Sequence, residues 1–266
     1  MEQINKPLVD VQNLAVHFGA ADAPVRAVDG VSFQIHAGEI VALVGESGSG
    51  KSISALSIAR LIPQPAARIA GGRILFNGVD TLTMKPAAIR KLRGAKIAYI
   101  FQEPATSLNP VYTVGWQIGE AIRLHRRGIK IRTETENLLA AVGLPDPARA
   151  AKSYPHQLSG GMQQRAMIAM ALACNPDLLV ADEPTTALDV TVQKQILELL
   201  MKLRAERNLS ILLITHNLGI VANTADRVYV MHRGKIVESG DTKNVLTNPQ
   251  HDYTKKLLAA VPRLHK

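Results

Sequence analysis

The chain has 266 residues, 47% of them apolar, which is enough for a sizeable core and suits one α/β domain with an inserted or appended subdomain. Its one cysteine, Cys174, excludes an internal disulfide and a cysteine-based metal cluster; no apolar run approaches the roughly eighteen residues of a membrane span, and Met1 to Pro7 contain no secretory apolar region, so a cytosolic location is the expectation. A net charge of +9 fits general solubility or an anionic surface, while 4% aromatic content without basic–aromatic interleaving argues against single-stranded nucleic acid as a partner.

In chain order, residues 9–18 alternate weakly, as a half-exposed strand does, and residues 27–35 repeat that character. Residues 39–44 read as a buried strand. It runs into Gly45-Glu46-Ser47-Gly48-Ser49-Gly50-Lys51-Ser52, which fits G-x-x-x-x-G-K-[ST] at every fixed position, and residues 53–61 read as a helix. Strand, loop and helix are the context this motif needs. Gly45, Gly48 and Gly50 let the backbone turn its N–H groups inward, and the helix start adds partial positive charge. Lys51 is expected on the β- and γ-phosphates of ATP, and the Ser52 hydroxyl on Mg²⁺. The bland alternative is a Gly/Ser turn with a chance lysine. Residues 72–79 then read as a strand entering an Asn77-Gly78 turn. The early β pieces predict an antiparallel sheet beside the nucleotide.

Beyond Gln102 the texture changes. Pro104 and Pro110 bracket a loop, helical periodicity runs through 114–124 and 132–142, and Pro145 and Pro147 interrupt it. Residues 103–175 are therefore expected to form a helical subdomain. The basic stretch Arg123, His125, Arg126, Arg127, Lys130 and Arg132 reads either as a lipid-facing patch or as a solvated helix end. Ser159 is a natural N-cap for a helix over 162–172, and Gly160 and Gly161 would let a phosphate approach that helix tip. Residues 177–183 form an apolar run that suits a central parallel strand ending in two carboxylates. Asp182 is the candidate for Mg²⁺, through water, and Glu183 for polarising the attacking water; the alternative is a turn cap and a solvated side chain. An amphipathic helix follows over 190–207, with Ile196, Leu199, Leu200 and Leu203 on one face. A strand over 211–215, a hairpin of 227–231 with 235–238 about Arg233-Gly234, and two short helices after Asp241 complete the chain.

Leu158-Ser159-Gly160-Gly161-Met162-Gln163-Gln164-Arg165 resembles the signature sequence of ATP-binding-cassette (ABC) ATPases. The other elements of that family follow in order. Gln102 resembles the Q-loop glutamine, implied to touch Mg²⁺ and to sense a membrane partner. Ala187-Leu188-Asp189 resembles the D-loop, which places Asp189 with Ser159, Gly160 and Gly161 among the nucleotide-site residues. His216 resembles the switch histidine at the γ-phosphate, and Phe18 the aromatic that stacks on adenine. The resemblance implies an α/β P-loop NTPase of ABC type. It would have a mixed central sheet, an antiparallel β subdomain and a helical signature-bearing subdomain, all within one nucleotide-binding domain over 1–266 with a short helical tail over 241–266. It further implies that the phosphate loop of one subunit faces the signature of another. With one copy of each element and no internal repeat, a second ABC ATPase subunit is required.

Residues 101–110, 182–193 and 251–262 are similar to the importer ATPases for dipeptides, oligopeptides and nickel. Asp252 stands where proline is usual in that group. The chain stops at Lys266, where many peptide-type members continue into a cysteine-containing extension, which leans toward nickel or metallophore transport. The implied partners are a non-identical second ATPase, two transmembrane permease subunits and, through them, an extracytoplasmic solute-binding protein, with no nucleic acid. The implied location is peripheral, on the cytoplasmic face of the inner membrane. Three rivals remain. A soluble ABC ATPase acting on DNA or ribosomes would carry an inserted coiled coil or a second cassette. A small-molecule kinase leaves Ser159, Gly160, Gly161 and His216 without a role. A non-catalytic cassette would not need Lys51, Glu183 and His216 intact.

Overall fold

Weak alternation near the amino-terminal end has a physical cause in the computed structural model, which describes residues 6–20, 24–186 and 188–260. β1 (Val9–Phe18) pairs antiparallel with β2 (Val25–Ile35), but the register shifts between Val11 and Leu14, where Asn13 takes φ 49°. Such a bulge resets which side chains face inward, so Val9, Val11, Leu14 and Val16 are all buried without strict period two. After β2 come β3 (Ile40–Val44), α1 (Lys51–Ile58), β4 (Ala67–Phe76) and the short β5 (Val79–Asp80). The antiparallel sheet has the order β2-β1-β4-β5. β4 begins at Ala67, ahead of the expected strand, and carries Gly71 and Gly72 inside it; β1 approaches closely at Gly72, where a Cβ would stand 2.6 Å from the Asn13 carbonyl oxygen. α1 stops at Ile58, short of the expected Leu61, because Arg60 turns left-handed at φ 55° and donates from Nη1 to the Met84 carbonyl at 2.7 Å.

The chain divides into two compact units, one of Met1–Ile89 with Ser210–Lys266 and the other of Arg90–Leu209. After α2 (Pro86–Leu92), the second unit holds β6 (Ile97–Ile100), α3 (Pro104–Ser107), α4 (Val114–His125), α5 (Ile131–Ala141), α6 (Pro147–Lys152), α7 (Gly160–Leu172), β7 (Leu178–Asp182) and α8 (Val190–Arg207). β6 and β7 pair in parallel from Ile97↔Leu178 to Ile100↔Ala181. Residues 104–107 form a helical turn rather than open loop, with the Ser107 N–H and hydroxyl both donating to the Glu103 carbonyl. Pro147 does not interrupt a helix but starts one: its fixed φ suits the first helical turn, and Asp146 caps that turn by accepting from the Arg149 N–H at 3.1 Å. In α8 the buried residues are Ile196, Leu199, Leu200 and Leu203, the expected face. Burying each such side chain is worth about 1.5–3 kcal/mol, against tenths for helix propensity, so packing holds this helix.

The first unit resumes with β8 (Ser210–Thr215), α9 (Leu218–Thr224), β9 (Arg227–His232), β10 (Lys235–Asp241), α10 (Thr242–Thr247) and α11 (Asp252–Ala259). β3 lies between β8 and β9, parallel to both, and β10 returns antiparallel beside β9 about Arg233 at φ 46° and Gly234 at φ 80°. Val44 is level with Thr215 on one side and Val230 on the other. The loop after β3 and the residue after β8 therefore emerge at one carboxyl edge, where parallel sheets bind ligands. Ala42, Val44, Leu218, Val221, Val228, Val230, Val245 and Tyr253 form a buried cluster beneath that edge.

Candidate nucleotide site

The Lys51 loop is built by close backbone approach. A Cβ at Gly45, φ 152°, would collide with the Met231 carbonyl oxygen, and one at Gly50, φ 101°, with that of Ala27. Only glycine fits at both places, so the neighbouring strands dictate the loop's path. Lys51 is buried, and its ammonium donates to the carbonyls of Gly45 and Glu46, both at 2.8 Å, and to Ser49 Oγ at 3.4 Å. A buried cation needs such oxygens, and phosphate oxygens can replace them. Gly50 heads α1 with no side-chain cap and no acidic residue in the first turn, which leaves the helix start suited to an anion. Ser52 lies half-buried in that turn. His216 follows β8 directly and is exposed, while Asn217 caps α9 by accepting from the Gly219 N–H at 2.9 Å.

The second unit brings Gln102 and Glu183 together. Gln102 Nε2 donates to Glu183 Oε2 at 3.2 Å, and the Thr186 hydroxyl donates to the same oxygen at 2.9 Å. Both acids sit half-buried at the end of β7, with Glu183 in the left-handed region at φ 47°. Thr186 was not among the sequence candidates; a hydroxyl a few residues beyond a carboxylate that must be held still is the signal that could have found it.

Ser159 caps α7, accepting from the Met162 N–H at 3.4 Å, and the helix starts at Gly160, ahead of the expected Met162. Ser159 and Gly160 are exposed. Gly161 has a packing reason of its own, since a Cβ there would stand 2.8 Å from Val192 Cγ1 of α8. Asp189 caps α8 by accepting from the Val192 N–H at 2.9 Å, a structural task that its sequence context left unread. Phe18 is half-buried at the end of β1, opposite Val25. Ala187, of the D-loop stretch, lies outside the described residues.

Much of the basic stretch is already engaged. Arg126 Nη1 donates to Glu134 at 2.6 Å and to the Ala173 carbonyl at 2.9 Å, Arg132 pairs with Glu136 at 3.1 Å, and the Arg123 guanidinium lies 5.7 Å from the centre of the Trp116 ring. These contacts favour a helix end over a free lipid-facing patch. Cys174 points inward, its thiol donating to the Ala121 carbonyl at 3.4 Å; burial pushes its pKa up against the lowering effect of Arg126.

Residues 28–186 match the family described as ABC transporter, and residues 237–266 match the oligopeptide/dipeptide transporter C-terminal region. The chain belongs to the ABC transporter ATPases. Its sequence is 56% identical over 266 residues to the peptidoglycan transport ATP-binding protein YejF of Agrobacterium fabrum; the match covers 99% of this chain and 49% of that protein, so the chain spans about half of that relative's length. It is 52% identical over 257 residues to the dipeptide transport ATP-binding protein DppD of Escherichia coli, covering 96% of this chain and 78% of that one. A solved dimeric, post-hydrolysis state of the cassette MJ0796, bound to ADP and Pi, superposes with a TM-score of 0.78 at 28% identity, covering 88% of this chain and 98% of that one. As an ABC ATPase the chain hydrolyses ATP, and its sheets and helices are those of a cassette.

Proposed function

We propose that this ABC ATPase is a motor subunit of a peptide importer, pairing with a second cassette and driving two permease subunits from the cytoplasmic face of the inner membrane. The observation that carries this reading is the match of residues 237–266 to the oligopeptide/dipeptide transporter C-terminal region. A cassette working on DNA or ribosomes has no use for that segment. Peptide is favoured over nickel or a metal chelate because the relative DppD is a dipeptide transport protein by name. The large apolar side chains Phe101, Val111, Tyr112 and Trp116 are exposed in the segment around and after Gln102, and Tyr112 stacks on Trp116 with ring centres 4.0 Å apart. Such a surface suits docking of permease helices. A non-identical partner ATPase and an extracytoplasmic solute-binding protein complete the assembly.

The residues divide the work. Backbone N–H groups of residues 45–52 and the Lys51 ammonium bind the β- and γ-phosphates of ATP, and Phe18 stacks on adenine. Among the described residues no cluster of three or more His, Cys, Asp or Glu side chains gathers to hold a metal. Ser52, Gln102 and, through water, Asp182 would hold it together with phosphate oxygens, a set that suits a hard cation such as Mg²⁺. Mg²⁺ supplies charge that offsets what develops on the transferred phosphoryl group. Glu183 orients and polarises the attacking water, and His216 contacts the γ-phosphate. Ser159, Gly160 and Gly161, with Asp189, meet the nucleotide held by the partner cassette. The dimeric, ADP- and Pi-bound state of MJ0796 supports that two-cassette arrangement.

Uptake of a labelled dipeptide by cells deleted for this chain tests the proposal. The natural chain is expected to restore uptake. Glu183→Gln is expected to bind ATP, to lose ATPase activity by at least about a hundredfold, in the range of a lost catalytic group, and to leave uptake at the level of the deletion. Undiminished dipeptide uptake in the deleted cells sinks the cargo, and normal turnover by Glu183→Gln removes that residue from its role.

A further inference from the structure

One N–H group of the Lys51 loop is held from the far end of the chain. The Glu46 N–H donates to the Tyr253 hydroxyl oxygen at 3.0 Å. Tyr253 is buried at the start of α11, and its ring lies against His232, with ring centres 3.9 Å apart. The start of α11 is itself fixed. Glu238 accepts from the Gln250 N–H at 2.7 Å and the His251 N–H at 3.1 Å, and His251 Nδ1 accepts from the Tyr253 N–H at 3.1 Å. Burial raises the Glu238 pKa, but the Gln250 N–H, the Thr254 side chain and His251 together outweigh it and hold the carboxyl below its ordinary range. The Tyr253 phenol is raised, chiefly by burial, so its hydroxyl stays neutral and protonated.

The peptide unit concerned is the one that holds the lysine. In a planar trans peptide the C=O and the next N–H point in opposite directions. The Gly45 carbonyl accepts from Lys51 Nζ at 2.8 Å, and the N–H at the other end of that same unit, on Glu46, goes to Tyr253. Rotation of this unit would move both groups together. Gly45 has no side chain to resist such a rotation, so the Tyr253 bond fixes the plane.

We propose that Tyr253 is a positioning residue of the nucleotide site: its hydroxyl locks the Gly45–Glu46 peptide and thereby places Lys51, so that the carboxyl-terminal helix sets ATP affinity. The inference rests on reading residues 45–52 as the phosphate cradle.

Tyr253→Phe removes the hydroxyl and keeps the ring. In the full-length chain, trinitrophenyl-ATP titration is expected to show affinity lowered about threefold to tenfold, the range of one net hydrogen bond. Amide exchange is expected to speed up at Glu46 and to stay unchanged at Ala42 and Val230 in the strands below. A purely structural role for Tyr253 would move all three amides together. Unchanged affinity, unchanged Glu46 exchange, or loosening that spreads to Ala42 and Val230 each overturns the proposal. Lys51→Ala, measured alongside, separates the two readings. If it binds the probe as the natural chain does, the cradle assignment itself is wrong; if it loses binding while Tyr253→Phe does not, only the role of Tyr253 falls.

Discussion

Glu183 sits at φ 47°, a left-handed conformation that costs a non-glycine residue about 1–2 kcal/mol. Strain at the end of a buried strand persists only where surroundings enforce it, and here Gln102 and Thr186 hold the carboxylate through one oxygen. The strain is thus coupled to where the acid points. Glu183→Gly and Glu183→Ala both delete the carboxylate, yet only glycine adopts this backbone freely. Glu183→Gly is therefore expected to be more stable than Glu183→Ala by about 1 kcal/mol, read from paired urea melts. Equal midpoints would show that the turn relaxes and that no strain is stored. At this scale the sequence was legible wherever a motif fixes spacing, as in residues 45–52. It was silent on Thr186 and Tyr253, whose partners are set by tertiary contact; the tyrosine meets its loop from the other end of the chain.

Periodicity revealed the long elements, because burial follows the repeat of the backbone. α8 shows this well, with its buried face and its end at Asn208, φ 50°, both as the pattern implies. Glycine and proline misled where their local meaning depends on a neighbour. Gly72 lies within β4 where β1 comes close, and Pro147 opens α6 because Asp146 caps it. Asp189 carries two readings at once, D-loop residue and N-cap of α8, and substitution separates them. Asp189→Ala is expected to cost about 1 kcal/mol of stability through the lost cap, whereas Asp189→Asn keeps an accepting oxygen and the melting point. If the D-loop reading is also right, Asp189→Asn loses ATPase activity at that unchanged melting point. Full activity in Asp189→Asn leaves the cap as the residue's whole role.

The chain carries one lysine loop and one serine–glycine helix tip. The loop's ammonium is turned onto its own carbonyls, while Ser159 and Gly160 stand exposed at the start of α7. If each tip serves the nucleotide on a partner cassette, a bulky cation at Ser159 should leave a lone subunit's binding intact and block closure of the pair. Ser159→Arg is therefore expected to bind trinitrophenyl-ATP within about twofold of the natural chain, since no group at its own loop is altered, a change below half a kcal/mol. ATPase activity of the assembled importer is expected to fall by at least about a hundredfold, because the γ-phosphate loses its second set of donors and the interface cannot shut. Melting of the variant should stay close to natural, since an arginine can still project from an exposed helix start. Loss of probe binding by a stably folded, isolated Ser159→Arg subunit would instead place that serine in its own chain's cradle, and hydrolysis would then need no second cassette.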